Sequence, residues 1–296
     1  MAAETGATIA LWPDGVPGGG PAPSLTSRTQ GAPGDRILTG ILSPSLSVIA
    51  PAAPNGAALL VVPGGGYMQL TFDVEGIEIA KRFAVAGFTA FVLAYRLPSE
   101  GWPAGPLAPL QDAMRAMRQI RASAGQYGFD PARVGAMGFS AGGHLVANLA
   151  ARTANPVYPP SDDIDRLDAR PHLVALGYPV ITMLPPYAHE ASREHLLGAN
   201  ATAEQRMQWS AERTVGPDMP PAFLFAAADD PYVPIENTLA IFNALRANKA
   251  DAELHVFERG GHGFGLRAAA DTTAAEWPDI FLRWADAHDL PARATR

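Results

Sequence analysis

The chain has 296 residues, of which 29 are Gly, 28 are Pro and none is Cys; 48% are hydrophobic and 17% charged, and 22 basic against 29 acidic side chains leave a net charge of −7. This is a turn-rich globular composition with ample apolar surface for a core, and it excludes a disulfide framework, a thiolate-bound metal and a cysteine nucleophile. An acidic balance without any run of Lys or Arg argues against nucleic acid and anionic membrane as partners.

Residues 1–36 are rich in Pro, Gly, Ser and Thr and lack a sustained period apart from the apolar patch Ile9-Ala10-Leu11-Trp12. They are expected to form an extended arm packed on the body of one α/β domain, residues 37–296. The start Met-Ala-Ala-Glu has no basic residue before Arg28 and no apolar core, so it does not read as a signal peptide. Residues 37–72 carry no charge, but Pro44, Pro51, Pro54, Asn55, Gly56 and Pro63 rule out one continuous apolar helix.

From Ala57 onward short apolar runs alternate with segments of helical period, the pattern of parallel strands joined by crossover helices. The predicted strands are Ala58–Val62, Thr89–Tyr95, Arg133–Phe139, Leu173–Tyr178, Ala222–Ala227 and Ala252–Phe257. Their near-continuous apolar character suits strands covered on both faces. Leu107, Leu110, Met114, Met117 and Ile120 form one apolar helical stripe, and Val74–Ala86, Ile235–Ala247 and Trp277–Ala287 read in the same way. Residues 154–170 are expected to be a surface loop, and residues 181–218 a small helical insertion of the kind that covers a site.

The sharpest motif is Gly138-Phe139-Ser140-Ala141-Gly142, a G-x-S-x-G pentapeptide between an apolar strand and a small-residue helix. That setting holds a serine on a tight, exposed turn, and bulky side chains at 138 or 142 would strike the adjoining strand and helix. A serine hydroxyl needs a base and a group that orients the base. Among seven histidines, His262 lies in the glycine-lined loop after the last predicted strand, whereas His144 sits one helical turn beyond Ser140 and is expected to pack or cap. The acid should end a strand between serine and histidine, which leaves Asp229 and Asp230 after Ala222–Ala227. Gly64-Gly65-Gly66-Tyr67 supplies unshielded backbone amides that, with the Ala141 amide, suit an oxyanion.

Other chemistries fail at particular residues. There is no G-x-x-x-x-G-K-[ST] loop; Arg193 occupies the second histidine position of an H-E-x-x-H zinc site begun by His189-Glu190; and Gln69 ends any G-x-G-x-x-G reading. Glu75 and Glu78 are expected on a solvated helix face or in ion pairs.

Taken together, Leu11-Trp12-Pro13, Pro63–Tyr67, Tyr95-Arg96-Leu97, Pro109–Ala113, Gly138–His144, Asp230–Pro234 and Gly260–Phe264 give a chain that resembles the acetylxylan-esterase-like group of α/β-hydrolase-fold serine esterases, whose members are sometimes labelled xylanases. The resemblance implies the α/β-hydrolase fold, a mostly parallel central sheet with helices on both faces. Its D-x-x-V-P motif implies Asp230 rather than Asp229 as the acid, beside Ser140 as nucleophile and His262 as base. Pro63 stands where lipase-like relatives have the histidine of a His-Gly-Gly-Gly loop, and Gly65 and Gly66 are taken as the oxyanion donors with Ala141.

The implied activity is removal of short acyl groups, acetyl foremost, from sugar hydroxyls of xylan or its oligosaccharides, without metal or organic cofactor. Tyr67, His189 and Tyr232 are expected to line the substrate pocket. Relatives of this group are commonly exported and act on polysaccharide fragments. The competing readings are a general carboxylesterase or feruloyl esterase with the same residues, a serine peptidase, and a non-catalytic binding module on a hydrolase fold.

Overall fold

Strands apolar at every position need cover on both faces. The computed structural model, which describes residues 6–20, 25–268 and 270–290, provides it. Its strands are β1 (Thr8–Ala10), β2 (Arg28–Gln30), β3 (Ile37–Thr39), β4 (Ser45–Ile49), β5 (Ala58–Val62), β6 (Thr89–Ala94), β7 (Val134–Phe139), β8 (Val174–Gly177), β9 (Ala222–Ala227) and β10 (Ala252–Phe257). Eight form one sheet in the order β1-β4-β6-β5-β7-β8-β9-β10, while β2 and β3 form a separate antiparallel ribbon. The run from β6 to β10 is parallel, and β4 and β1 add antiparallel strands at one edge. Every residue of β5 to β9 is buried.

The helices are α1 (Glu78–Val85), α2 (Leu107–Ala122), α3 (Ala124–Tyr127), α4 (Ala141–Arg152), α5 (Glu190–Leu197), α6 (Ala203–Trp209), α7 (Glu236–Ala247) and α8 (Trp277–Ala287). Successive strand residues point to opposite faces, and β7 shows which helices lie where. The Phe139 ring meets Trp277 of α8 at 6.0 Å, while Gly138 lies against Gly142 and Val146 of α4. Phe83 of α1 also meets Trp277 and Phe281, so α1 and α8 cover one face together. No helix of the described residues is long and apolar enough to cross a membrane; the uncharged stretch 37–72 is spent on β3, β4 and β5 with turns between them.

Two elements depart from expectation. The segment predicted as a helix over Val74–Ala86 opens with a π-helical turn, Asp73–Ile77, and becomes α-helical only at Glu78. That wider turn buries Asp73, Glu75, Gly76 and Ile77 together, which a single stripe of α-helical period does not do. The N-terminal arm contributes β1 as an edge strand of the main sheet, paired Thr8 to Ser47 and Ala10 to Ser45. Leu11 and Trp12 then enter the core, where the Trp12 indole N–H donates to Asp112 Oδ1 at 2.7 Å. The insertion over 181–218 holds α5, α6 and a 3₁₀ turn at Ala211–Arg213.

Candidate active site

Ser140 joins the end of β7 to the start of α4 in a conformation with φ 50° and ψ −119°. Backbone of this kind costs a non-glycine residue about 1–3 kcal/mol and persists only where neighbours enforce it. The enforcement is visible on both sides. A Cβ on Gly138 would lie 2.2 Å from the Gly142 carbonyl oxygen, and one on Gly142 would lie 2.3 Å from that of Val62. The small flanking residues thus let strand and helix close to contact while the serine hydroxyl stands above the strand ends.

The Ser140 Oγ lies 2.9 Å from His262 Nε2, across 122 residues of sequence. His262 Nδ1 lies 2.6 Å from Asp230 Oδ2. The other carboxylate oxygen of Asp230 accepts the Tyr232 and Val233 amides, each at 2.9 Å. Burial, the largest single influence, pushes the Asp230 carboxyl up; the His262 hydrogen bond and the two amides outweigh it and hold the group below its ordinary range. Asp229 turns elsewhere, and its Oδ1 accepts the Gly260 and Gly261 amides at 2.9 and 2.8 Å. It braces the histidine loop.

Gly65 and Gly66 border the cavity beside Ser140. Their amides and that of Ala141 make no hydrogen bond to another described residue, so three donors are left for a ligand. Gly65 has φ 124°, and a Cβ there would meet the Gln69 carbonyl oxygen at 2.2 Å, so only glycine permits this turn. The Gly64 amide is committed to Glu75 Oε2 at 2.9 Å, which also accepts Thr71 Oγ1 at 2.6 Å. Glu75 is only 4% exposed, contrary to its expected place on a solvated face, because the π-helical turn rotates it inward; Glu78 does pair at the surface, with Arg267.

Tyr67 is likewise not on the pocket wall. It is buried with φ 59°, and its hydroxyl lies 2.7 Å from His144 Nδ1. His144 Nε2 faces the Trp209 carbonyl at 2.7 Å. A carbonyl only accepts, so Nε2 carries the proton and Nδ1 accepts from the tyrosine. Burial lowers the His144 pKa to about 4 against the opposing pull of that carbonyl. A neutral imidazole therefore ties the glycine loop at Gly64–Tyr67, α4 and the insertion together.

A cavity of about 360 Å³ opens over Ser140 and His262. His189 and Tyr232 line it, as does His195, which sequence reasoning passed over. Its position on α5, six residues after His189, was the available signal. Tyr178, read from the sequence only as the end of a strand, packs its ring 5.2 Å from His262 and accepts the Gly265 amide on its hydroxyl at 3.2 Å. It holds the far end of the histidine loop. A hydroxyl, an imidazole and a carboxylate in line beside three free amides form an arrangement suited to acyl transfer.

The BD-FAE family model matches residues 47–245. The chain is 39% identical over 226 residues to endo-1,4-beta-xylanase B of Butyrivibrio fibrisolvens, covering 74% of this chain and 34% of that protein. It is 33% identical over 220 residues to an acetylxylan esterase of Xylanibacter ruminicola, covering 73% and 42%. The chain thus spans well under half the length of these curated relatives. Among solved structures, the acetyl ester-xyloside bifunctional hydrolase of Caldicellulosiruptor lactoaceticus superposes with a TM-score of 0.78 at 30% identity, covering 98% of each chain. With its matching fold, the chain belongs to the BD-FAE family of α/β-hydrolase carboxylic ester hydrolases.

Proposed function

We propose that the protein is a serine esterase that removes short acyl groups, acetyl foremost, from hydroxyls of carbohydrate such as xylan or xylo-oligosaccharides. The observation that carries the chemistry is the continuous chain from Ser140 Oγ to His262 Nε2 at 2.9 Å and from Nδ1 to Asp230 Oδ2 at 2.6 Å. The carboxylate fixes the tautomer with the proton on Nδ1, which leaves Nε2 to take the serine proton. Ser140 Oγ attacks the ester carbonyl carbon, and the carbonyl electron pair moves onto oxygen, where the Gly65, Gly66 and Ala141 amides receive it. Each such donor contributes roughly 2.7–4 kcal/mol to the transition state. Collapse breaks the bond to the alcohol oxygen, which leaves with the proton from Nε2. Water then gives a proton to Nε2 as it attacks the acyl carbon; the bond from that carbon to Ser140 Oγ breaks, Oγ takes the proton back from Nε2, and the acid leaves.

The carbohydrate part of the reading rests on the acetylxylan esterase and acetyl ester-xyloside hydrolase relatives. It is tested by acetate release from acetylated xylo-oligosaccharides. The wild type should release acetate, and Ser140→Ala should lose on the order of 10⁶-fold in kcat. Full activity in the variant would refute the mechanism; nitrophenyl acetate cleavage without release from the oligosaccharides would refute the substrate.

A further inference from the structure

Two histidines of the insertion face the cavity, and each has one ring nitrogen spent and one free. His189 caps α5: its Nδ1 accepts the Ser192 amide at 3.4 Å and stands 2.7 Å from Ser192 Oγ. A nitrogen that accepts carries no proton, so the proton of the neutral ring lies on Nε2. His195 is the reverse case. Its Nδ1 lies 3.1 Å from the Gly66 carbonyl oxygen, which can only accept, so Nδ1 holds a proton and, in the neutral ring, Nε2 presents a lone pair. Neither Nε2 has a hydrogen-bond partner among the described residues, and both side chains border the cavity that contains Ser140 and His262. Burial, and then the nearby His262, lowers the His189 pKa, so this ring stays neutral and keeps its tautomer at neutral pH.

We infer that His189 and His195 form a donor and acceptor pair that reads free hydroxyls on the alcohol portion of the ester. His189 Nε2–H donates to one hydroxyl oxygen, and His195 Nε2 accepts from a hydroxyl hydrogen. A polyol carrying hydroxyls beside the esterified one satisfies both; an aryl or simple alkyl alcohol satisfies neither. The inference rests on the carbohydrate reading above and adds the residues that select for it. It also gives the insertion a chemical task, since His189 and His195 both belong to it.

The test exploits side-chain length. Asparagine places a polar atom where Nδ1 stands and nothing where Nε2 stands; glutamine reaches the Nε2 position. His189→Asn retains a good helix N-cap, and His195→Asn retains a donor for the Gly66 carbonyl. The readout is the ratio of kcat/KM on acetylated xylo-oligosaccharides to that on nitrophenyl acetate. Each Asn variant should lower the ratio roughly three- to tenfold, the loss of one neutral hydrogen bond. His189→Gln and His195→Gln should recover most of it, which a merely structural defect would not do. An unchanged ratio in both Asn variants, with the wild type active on the oligosaccharides, would overturn the pair and leave the carbohydrate reading standing. A wild type inert on the oligosaccharides yet active on nitrophenyl acetate would overturn both.

Discussion

The carboxylates of Asp229 and Asp230 leave one turn in different directions, and their partners set different consequences for the same substitution. Asp230→Asn keeps the shape but replaces an acceptor facing His262 Nδ1 with an amide that can reverse the tautomer. Steady-state kinetics should show kcat lower by about 10⁴-fold. Asp229→Asn keeps an oxygen able to accept the Gly260 and Gly261 amides, and its kcat should fall less than about tenfold. Equal losses would refute the distinction. His144 makes a separate prediction about pH. Its folded pKa is about 4 against 6.5 unfolded, so the unfolded chain takes up the proton first. Stability is full above about pH 6.5, is lost as pH falls toward 4, and levels off below, a total of about 3 kcal/mol. In thermal melts from pH 8 to 4, His144→Gln should start lower and decline less steeply than the wild type over that window.

At the scale of elements, strands and loop ends are legible in the sequence where local rules suffice. The runs that became β5, β7 and β9 are apolar throughout, and Ser140, Asp230 and His262 each follow a strand, so their convergence can be read from parallel topology alone. Glu75, Tyr67 and Tyr178 are not legible in this way, because their burial depends on particular polar partners that hydrophobic period does not reveal: Gly64 and Thr71, His144, and Gly265. The helical period of Val74–Ala86 conceals the π-helical turn, and with it the inward rotation of Glu75. β1 and β4 escape notice because one is three residues long and the other lies among prolines. The buried Glu75 carboxylate holds the glycine loop of the proposed oxyanion site by the Gly64 amide, so Glu75→Gln, which keeps an acceptor of the same reach but not the charge, should lower kcat roughly 10- to 100-fold with KM nearly unchanged. A change confined to melting temperature would reduce Glu75 to a structural residue.

Across the whole molecule, the N-terminal arm and the body are joined by buried charge rather than by apolar contact alone. Arg96 and Asp112 pair at 2.8 Å with both side chains fully buried. Asp112 also accepts the Trp12 indole and the Arg96 amide. Arg115 donates to the Leu11 carbonyl and pairs with Asp162 and Asp165. Removing one member of such a network leaves an uncompensated buried charge. Asp112→Ala should therefore lose about 3–5 kcal/mol in denaturant unfolding, and the arm should become susceptible to proteolysis near Trp12. A loss below about 1 kcal/mol would mean that the clasp contributes little to holding the arm.

The catalytic expectations depend on the Ser140 hydroxyl as the group that takes the acyl. Rapid acid quenching during turnover of an acetyl ester, followed by peptide mapping by mass spectrometry, reads that group directly. The expected result is one acetyl on the peptide containing Ser140 in the wild type and none in Ser140→Ala. Acetyl carried by a different residue, or retained in the variant, would contradict it.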